Sequence, residues 1–522
     1  MSSILTNSSA MVALQTLKSV NSNLQQTQSE ISTGKSVASA KDNSAVWAIS
    51  KVMESDVKGF KGIQESLSLG ESTVAVARNA SETVTDLLTD IKGKIVAAQE
   101  ENVDREKIQT DIDALTDQIK TVVGAAQFNG LNLVQGTEDV NILSSLDRSG
   151  NGDVSAASIT VARQDLSTET GQYGSTAVTG GDLTALGSVN GAASGTSGAQ
   201  AGLNAQIQVT EGGGAGFADG DTFSLTVGGS SFTVSLAGTE SATDVATLLQ
   251  GEINARDIDG VTATLGANPG ELVISNTNAF EDVDVSVSSS LTDTTGGAGA
   301  NLEELNGATG LTQTSGTIAQ RAEAIDFSAA ANVAEGDGFE VTVAGAAFRY
   351  VAGAGETMED VARGLKTAID SNPPDGVTTK VQLDDATGAY SLAIDYDNAS
   401  TTTIALAAST GGEASGGLFG LDSLDVTTNA GADSALDNIE SLIQNSIDAA
   451  AEFGSAGGRI ETQSEFVGKL VDSLKSGIGT LVDADLEETS ARLQALQVQQ
   501  QLATQSLSIA NQAPQNILSL FR

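Results

Sequence analysis

The 522-residue sequence contains no cysteine and no histidine. Without cysteine there are no disulfides and no thiolate chemistry. Without histidine there is no imidazole acid–base catalysis and no His-ligated metal. An enzyme would be left with Ser–Lys or paired-carboxylate chemistry, and no spacing in the sequence supports either, so no catalytic residue, metal site or cofactor is expected. No run of about 18 apolar residues occurs, so no membrane-spanning helix and no membrane insertion are expected. The opening "MSSILTNSSAMVALQTLKSV" has no basic start, continuous apolar run or small-residue cleavage site, so it does not read as a cleaved secretory signal.

Positive charge is also scarce: 25 Lys and Arg stand against 67 Asp and Glu, a formal charge of −42. The imbalance is concentrated in the middle, where residues 151–425 hold 7 basic and 36 acidic residues. Such a surface repels nucleic acid and anionic lipid, so neither is expected as a partner. The middle reads as the most solvent-exposed part of the chain.

What is present separates by composition into three regions. Residues 1 to about 145 contain no proline and read as long helices. A first seam, Ala10, Ala13, Leu17, Val20, Leu24, Thr27 and Ile31, alternates steps of three and four as a coiled coil requires. A second helix is expected over about 44–100, with Val74, Ala77, Val84, Leu87, Leu88, Ile91 and Ile95 on its apolar face. A third carries Ile108, Ile112, Leu115, Ile119 and Val122, and "QFNGLNLV" ends it with an Asn129-Gly130 turn before a short strand. Helix returns from about 432, with Leu436, Ile439, Ile443, Ile447 and Ala450 at helical spacing.

The middle is rich in Gly, Ser and Thr, alternates as strands do, and repeats itself. "GDTFSLTVGGSSFTV" at Gly220–Val234 returns 116 residues later as "GDGFEVTVAGAAFRY" at Gly336–Tyr350. Each copy reads as a hairpin across Gly228-Gly229 or Ala344-Gly345, then a helix, then two strands, over about 216–290 and 332–407. Residues some 400 positions apart then share one job: the two helical ends pair, and the middle loops out. Closing so large a loop costs only logarithmically in its length.

The last helix carries two apolar sets. Leu493, Leu496, Ala503, Leu507 and Ala510 fall on one side, and Val498, Leu502 and Ile509 nearly opposite. A surface helix with one core needs only one stripe. The seam of the first helix fits an intramolecular core as well as an assembly surface, but opposed stripes at the end of the chain favour a second neighbour. A helix lying on a membrane would carry Lys or Arg between the stripes, where this one has Gln.

These ends resemble bacterial flagellin. "ISTGKSVASAKDNSAVWAIS" (Ile31–Ser50) is similar to the family's serine-glycine segment and its Ala-Lys-Asp core, here Ala40, Lys41 and Asp42. "QFNGLNLV" (Gln127–Val134) resembles its Phe-Asn-Gly turn, and "DADLEETSARL" (Asp483–Leu493) with "SIANQAPQNILSLFR" (Ser508–Arg522) its C-terminal signature. The resemblance covers about 1–145 and 432–522. It implies an α+β multidomain fold, with long terminal helices forming coiled-coil inner domains and a β-rich, projecting middle with an internal repeat. The implied domains are 1–43 and 483–522 (inner coiled coil), 44–145 and 432–482 (helical outer shell), and 146–431 (variable outer region).

The implied function is that of a structural subunit, polymerising through its terminal helices into the flagellar filament that drives swimming. Its place would be the extracellular flagellum. Its partners would be further copies of itself, hook-associated and cap proteins, and the flagellar export apparatus and chaperone. The assembly residues would be Ala10, Ala13, Leu17, Val20, Leu24, Ile31, Leu493, Leu496, Val498, Leu502, Leu507, Ile509 and Phe521. A hook-associated or junction protein shares such ends but caps the polymer. A surface adhesin would work through the acidic middle.

Two smaller motifs read as ordinary structure. "DRSGNGD" (Asp147–Asp153) opens like a calcium loop, but Ser158 stands where the twelfth-position Glu belongs, so a polar turn is expected. The Gly-rich "TEGGGAG" and "TTGGAGAN" lack a following Lys-Ser/Thr and read as connections, not phosphate loops.

Overall fold

A computed structural model of the chain describes residues 7–148, 153–179, 181–189, 194–197, 203–212, 216–292, 298–384, 387–397 and 402–520. Eight α-helices are found there: α1 (Ser8–Thr33), α2 (Ser44–Ala98), α3 (Arg105–Ala125), α4 (Gly181–Leu186), α5 (Ala242–Arg256), α6 (Met358–Asp370), α7 (Asn429–Val482) and α8 (Leu486–Leu520). Residues 149–152 of the calcium-loop-like segment lie outside the described residues. The chain divides into two compact units. Residues 1–75, 139–161 and 453–522 make one, and 76–138 with 162–452 make the other.

The first unit is built from the chain's two ends. Asn7 caps α1 by accepting from the Ala10 N–H at 3.1 Å, and Gly34, at φ 67°, ends it in the left-handed region. The segment that follows is the one containing Ala40-Lys41-Asp42. The Asp42 carboxylate accepts from the backbone N–H groups of Ser39 (2.9 Å) and Ala38 (3.2 Å) and from the Ser39 hydroxyl (3.0 Å). These bonds hold its carboxyl below the usual carboxylate range, the Ser39 N–H first among them. Asn43 then caps α2 through Val46 N at 3.2 Å. The same segment is tied to the break between α7 and α8, with Ser36 N donating to Val482 O at 2.8 Å and Ala484 N to Gly34 O at 3.0 Å. The hairpin Val140–Arg148 with Val154–Val161 packs in this unit, where Ser144 O accepts from Gln463 Nε2 at 2.9 Å.

In the second unit, the helical part buries Ala77, Val84, Leu88, Ile91 and Ile95 as the spacing predicts. Two stripes are rotated from expectation. On α3 the buried set is Ile112, Thr116, Ile119 and Val123, with Leu115 and Val122 only half-buried. On α7 it is Ala432, Ala435, Ile439, Leu442, Ser446 and Ala449, while Ile447 faces out. Small residues win because the helices approach closely: the Ser446 hydroxyl donates to Ser81 O at 3.0 Å and meets the Thr85 hydroxyl at 2.9 Å. Asn129 and Gly130, at φ 52° and 83°, form the two-residue turn of the hairpin Gln127–Phe128 with Leu131–Asn132.

The β-rich part of this unit bears out the repeat. In the first copy, strands Asp219–Val227 and Ser230–Ala237 pair across Gly228-Gly229, and α5 and strands Val261–Leu265 and Glu271–Asn276 follow. In the second, Gly338–Val343 and Ala346–Val351 pair across Ala344-Gly345, then come α6, Val377–Asp384 and Ala389–Tyr396. Alternation is strict: in Asp219–Val227 the residues Phe223, Leu225 and Val227 point into the core. Each copy also has a flanking strand on either side, Asn204–Thr210 and Val283–Ser290 in the first, Glu323–Phe327 and Thr402–Thr410 in the second.

The two modules are nested. The second one's sheets are completed by Thr176–Val178, Gly187–Val189 and Ser194–Ser197, which precede the first module in the chain. At their joint Arg321 forks onto Asp395 (2.8 and 2.6 Å) and reaches Asp397 (3.1 Å). The whole β-rich part enters and leaves through a narrow neck, where Gly417 N donates to Asp165 O (2.7 Å), Leu418 N to Ser167 O (3.0 Å), and Gln172 and Glu413 exchange bonds at 2.8 Å. A side chain at Gly416 would stand 2.1 Å from Ser167 O, so the backbones can close only on glycine.

Beside the neck, the buried Tyr350 hydroxyl donates to both Glu356 carboxylate oxygens at 2.9 Å. Burial pushes Glu356 from 4.5 up to about 7, and the neighbouring Asp360 adds to the rise. A carboxyl raised on folding contributes stability that is complete below its unfolded value and is lost as the pH climbs through the folded one. Stability should therefore decline from about pH 4.5 to about pH 7 through this group. Glu356→Gln keeps the acceptor for Tyr350 and removes the charge. Thermal unfolding of the two proteins across this range should give a flatter profile for the variant; parallel profiles would show that Glu356 does not titrate in the fold.

Candidate self-assembly surface

The first and last helices of the chain pack side by side and run in opposite directions. Asn7 Nδ2 donates to Ala510 O at 2.8 Å, Gln500 Nε2 to Asn21 Oδ1 at 2.8 Å, and the backbones of Lys35 and Asp483 form an isolated antiparallel β-bridge. The partners descend from Ala510 through Gln500 to Asp483, just before α8, as α1 is followed from Asn7 to Lys35, just after it, and so fix an antiparallel register.

Burial along both helices follows the apolar periodicity. On α1, Val20 is buried and Ala10, Ala13, Leu17, Leu24 and Ile31 are half-buried, while nearly all the residues between them are exposed. On α8, Leu496 and Ala503 are only 7 % and 9 % exposed, and Leu493, Leu507 and Ala510 are half-buried. The opposite set stands in solvent: Val498 and Leu502 at 56 % and Ile509 at 68 %. Phe521 lies outside the described residues. The structure thus brings one stripe of α8 onto α1 and leaves the other without cover.

Along the seam of the pair runs an open groove of about 690 Å³, lined among others by Val12, Ala13, Thr16, Leu502, Ser506 and Ile509. Its walls are mainly apolar, with no charged side chain among the lining residues. Met11 and Val12 beside it are exposed on α1, positions that the seam spacing left out because they sit one step off the heptad. Within the same unit, Ile49, Val52, Leu69 and Phe466 are also exposed. Phe466 interrupts a polar helix face, and that lone large apolar residue was the available signal. Fully burying such a side chain is worth roughly 1.5–3 kcal/mol, so this surface forgoes a large stabilisation while it is wet.

Chemistry of other kinds is not assembled here. Among the described residues, no group of His, Cys, Asp and Glu could hold a metal ion, and no helix is long and apolar enough to cross a membrane. What the arrangement offers is two faces of complementary use, one closed within the chain and one open.

Comparison with known proteins places the chain in a family. Residues 4–139 match the bacterial flagellin N-terminal helical region, and residues 436–521 the bacterial flagellin C-terminal helical region. The chain is 30% identical to Flagellin A of Rhizobium meliloti over 528 residues, covering all of both chains. It is 41% identical over 172 residues to a flagellin of Brucella melitensis, which spans 33% of this chain and 61% of that one. Among solved structures, a flagellar hook-associated protein-3 from Legionella pneumophila aligns over 83% of this chain and 98% of its own, at 10% identity and a TM-score of 0.32. With full-length relatives at this identity and both helical ends matched, the chain belongs to the bacterial flagellins, the structural subunits of the flagellar filament.

Proposed function

We propose that this flagellin polymerises through the uncovered face of the α1–α8 pair, with Val498, Leu502 and Ile509 seated against neighbouring copies. The observation that carries this reading is the opposed burial of the two stripes on one helix. Ala10, Ala13, Leu17, Val20, Leu24, Ile31, Leu493, Leu496 and Leu507 hold the pair together, and Phe521, outside the described residues, is a further candidate for assembly. In this scheme residues 1–43 and 483–522 form an inner coiled coil, 44–145 and 432–482 an outer helical shell, and 146–431 the projecting region. Gln between the stripes suits packing of identical helices, since Lys or Glu repeated in every copy would repel itself.

The role is mechanical and calls for no catalysis or cofactor. The partners are first other copies of the chain, then hook-associated and cap proteins at the ends of the polymer. Before assembly come an export apparatus and a chaperone that would cover the apolar ends. The subunit works outside the cell, and its acidic middle supports solubility there and disfavours nucleic acid as a partner.

Substituting Leu502 and Ile509 together by Asp should leave a folded monomer and abolish elongation. Losing two buried apolar side chains costs about 3 kcal/mol or more, a rise of over a hundredfold in the concentration needed to polymerise. Seeded growth followed by light scattering and electron microscopy, with circular dichroism on the monomer, checks this; filaments formed at the ordinary concentration would refute it. If the wild type itself fails to elongate from seeds, the junction-protein reading takes over.

The neck gives a second test. Because Thr170 O accepts from the Ser415 hydroxyl at 3.0 Å, residues 171–414 can be replaced by a short Gly-Ser linker without stretching the chain. The shortened protein should still form filaments, thinner in electron micrographs. Loss of assembly would move the polymerising contacts into the middle.

A further inference from the structure

Of the lysines and arginines among the described residues, Lys366 alone is buried, at 4 % exposure. It sits on α6 of the second module, facing α7. Its Nζ donates to Asp370 Oδ2 at 2.8 Å and to Asn438 Oδ1 at 2.9 Å. Asn438 Nδ2 in turn donates to the same Asp370 Oδ2 at 3.2 Å, and Thr379 Oγ1 donates to Asp370 Oδ1 at 2.6 Å. Asp437, on the exposed side of α7, lies 3.8 Å from Nζ. Asn438 is itself 6 % exposed. A primary amine, a carboxamide and a carboxylate thus close a three-membered hydrogen-bonded ring, held on two helices and shielded from bulk water.

This is the set of groups needed for amide exchange between side chains. We propose that Lys366 and Asn438 join in an intramolecular isopeptide bond, with Asp370 carrying the protons. Asp370 Oδ2 takes a proton from the Lys366 ammonium across their hydrogen bond, freeing the lone pair of Nζ. That pair adds to Asn438 Cγ, the carbon bearing the Oδ1 that Nζ already touches. Asp370 then returns the proton to Nδ2, the Cγ–Nδ2 bond breaks, and ammonia leaves. The carboxylate removes the second proton from Nζ and passes it to the departing ammonia. The products are a Lys366–Asn438 amide, ammonium and the original carboxylate, with no oxidant or co-reactant.

Three features favour the step. Fixing the amine and carboxamide on packed helices makes their encounter intramolecular, which is worth effective molarities of about 10⁵ M and above when the geometry is held. A proton carrier within hydrogen-bond reach of both nitrogens contributes a further 10²–10⁴-fold or so. A cleft of about 330 Å³ lined by both Asp370 and Asn438 gives ammonia a way out, so its escape makes the exchange irreversible. The bond would fasten the second module to α7 in a chain that has no cysteine for the purpose.

The test is mass spectrometry of the full-length protein after it has stood folded at neutral pH. Its intact mass should fall short of the sequence mass by one ammonia, and digestion should yield one branched peptide joining the segments around residues 366 and 438. Lys366→Arg, which keeps a cation for Asp370 but is not a nucleophile under these conditions, and Asp370→Asn should both have the full mass and only linear peptides. Wild-type protein giving the full sequence mass and an unmodified Lys366 peptide overturns the proposal, and needs no variant to fold. An ammonia loss traced to linear peptides, as from a succinimide at Asn129-Gly130 or Asn306-Gly307, overturns it equally, as does conversion of Asn438 to Asp.

Discussion

The pairing of α1 with α8 is the contact on which the rest of this chain depends. It joins residues about 500 positions apart, yet a loop of that size costs only a few kcal/mol more to close than a short one. The pair is thin. Two helices lying side by side can bury one stripe each, and among the described residues the buried positions here are Val20, Thr27, Thr489, Leu496 and Ala503. A two-helix layer with so little interior is a fragment of a core, and the remaining apolar residues stay at its surface. That geometry leaves Val498, Leu502 and Ile509 uncovered within the chain.

Helix seams of this kind are legible in sequence because their periodicity is long and uninterrupted. The range expected for α2 and the two α8 stripes matched the structure closely, as did the Asn129-Gly130 turn and both β copies. Stripes chosen by residue size were less secure. Ile447 is a large apolar residue at helical spacing, yet α7 buries Ser446 and Ala449 beside it, because a close helix approach selects small side chains. Nothing in one helix's sequence states how near its neighbour will come.

The nesting of the β modules was hidden for another reason. The strands Thr176–Val178 and Ser194–Ser197 are short, lie on sheet edges and contain mostly Gly, Ser, Thr and Ala, so they carry no alternation to read. Their assignment to the second module depends on pairing with Thr402–Thr410, a contact made across the whole of the first module. The ring at Lys366 was invisible likewise: it unites α6 with α7 through three residues whose spacing matches no motif. Local chemistry shows in sequence; convergence of distant segments does not.

The antiparallel partnership of the first and last helices also sets an order of events. A ribosome makes α1 (Ser8–Thr33) long before α8 (Leu486–Leu520), the segment that covers it. At a rate of ~10 residues per second, α1 waits on the order of 50 s for its partner. During that interval its seam is an exposed apolar strip, open to proteases and to other nascent chains. A polypeptide without α8 would carry a leading helix with no partner in its own chain.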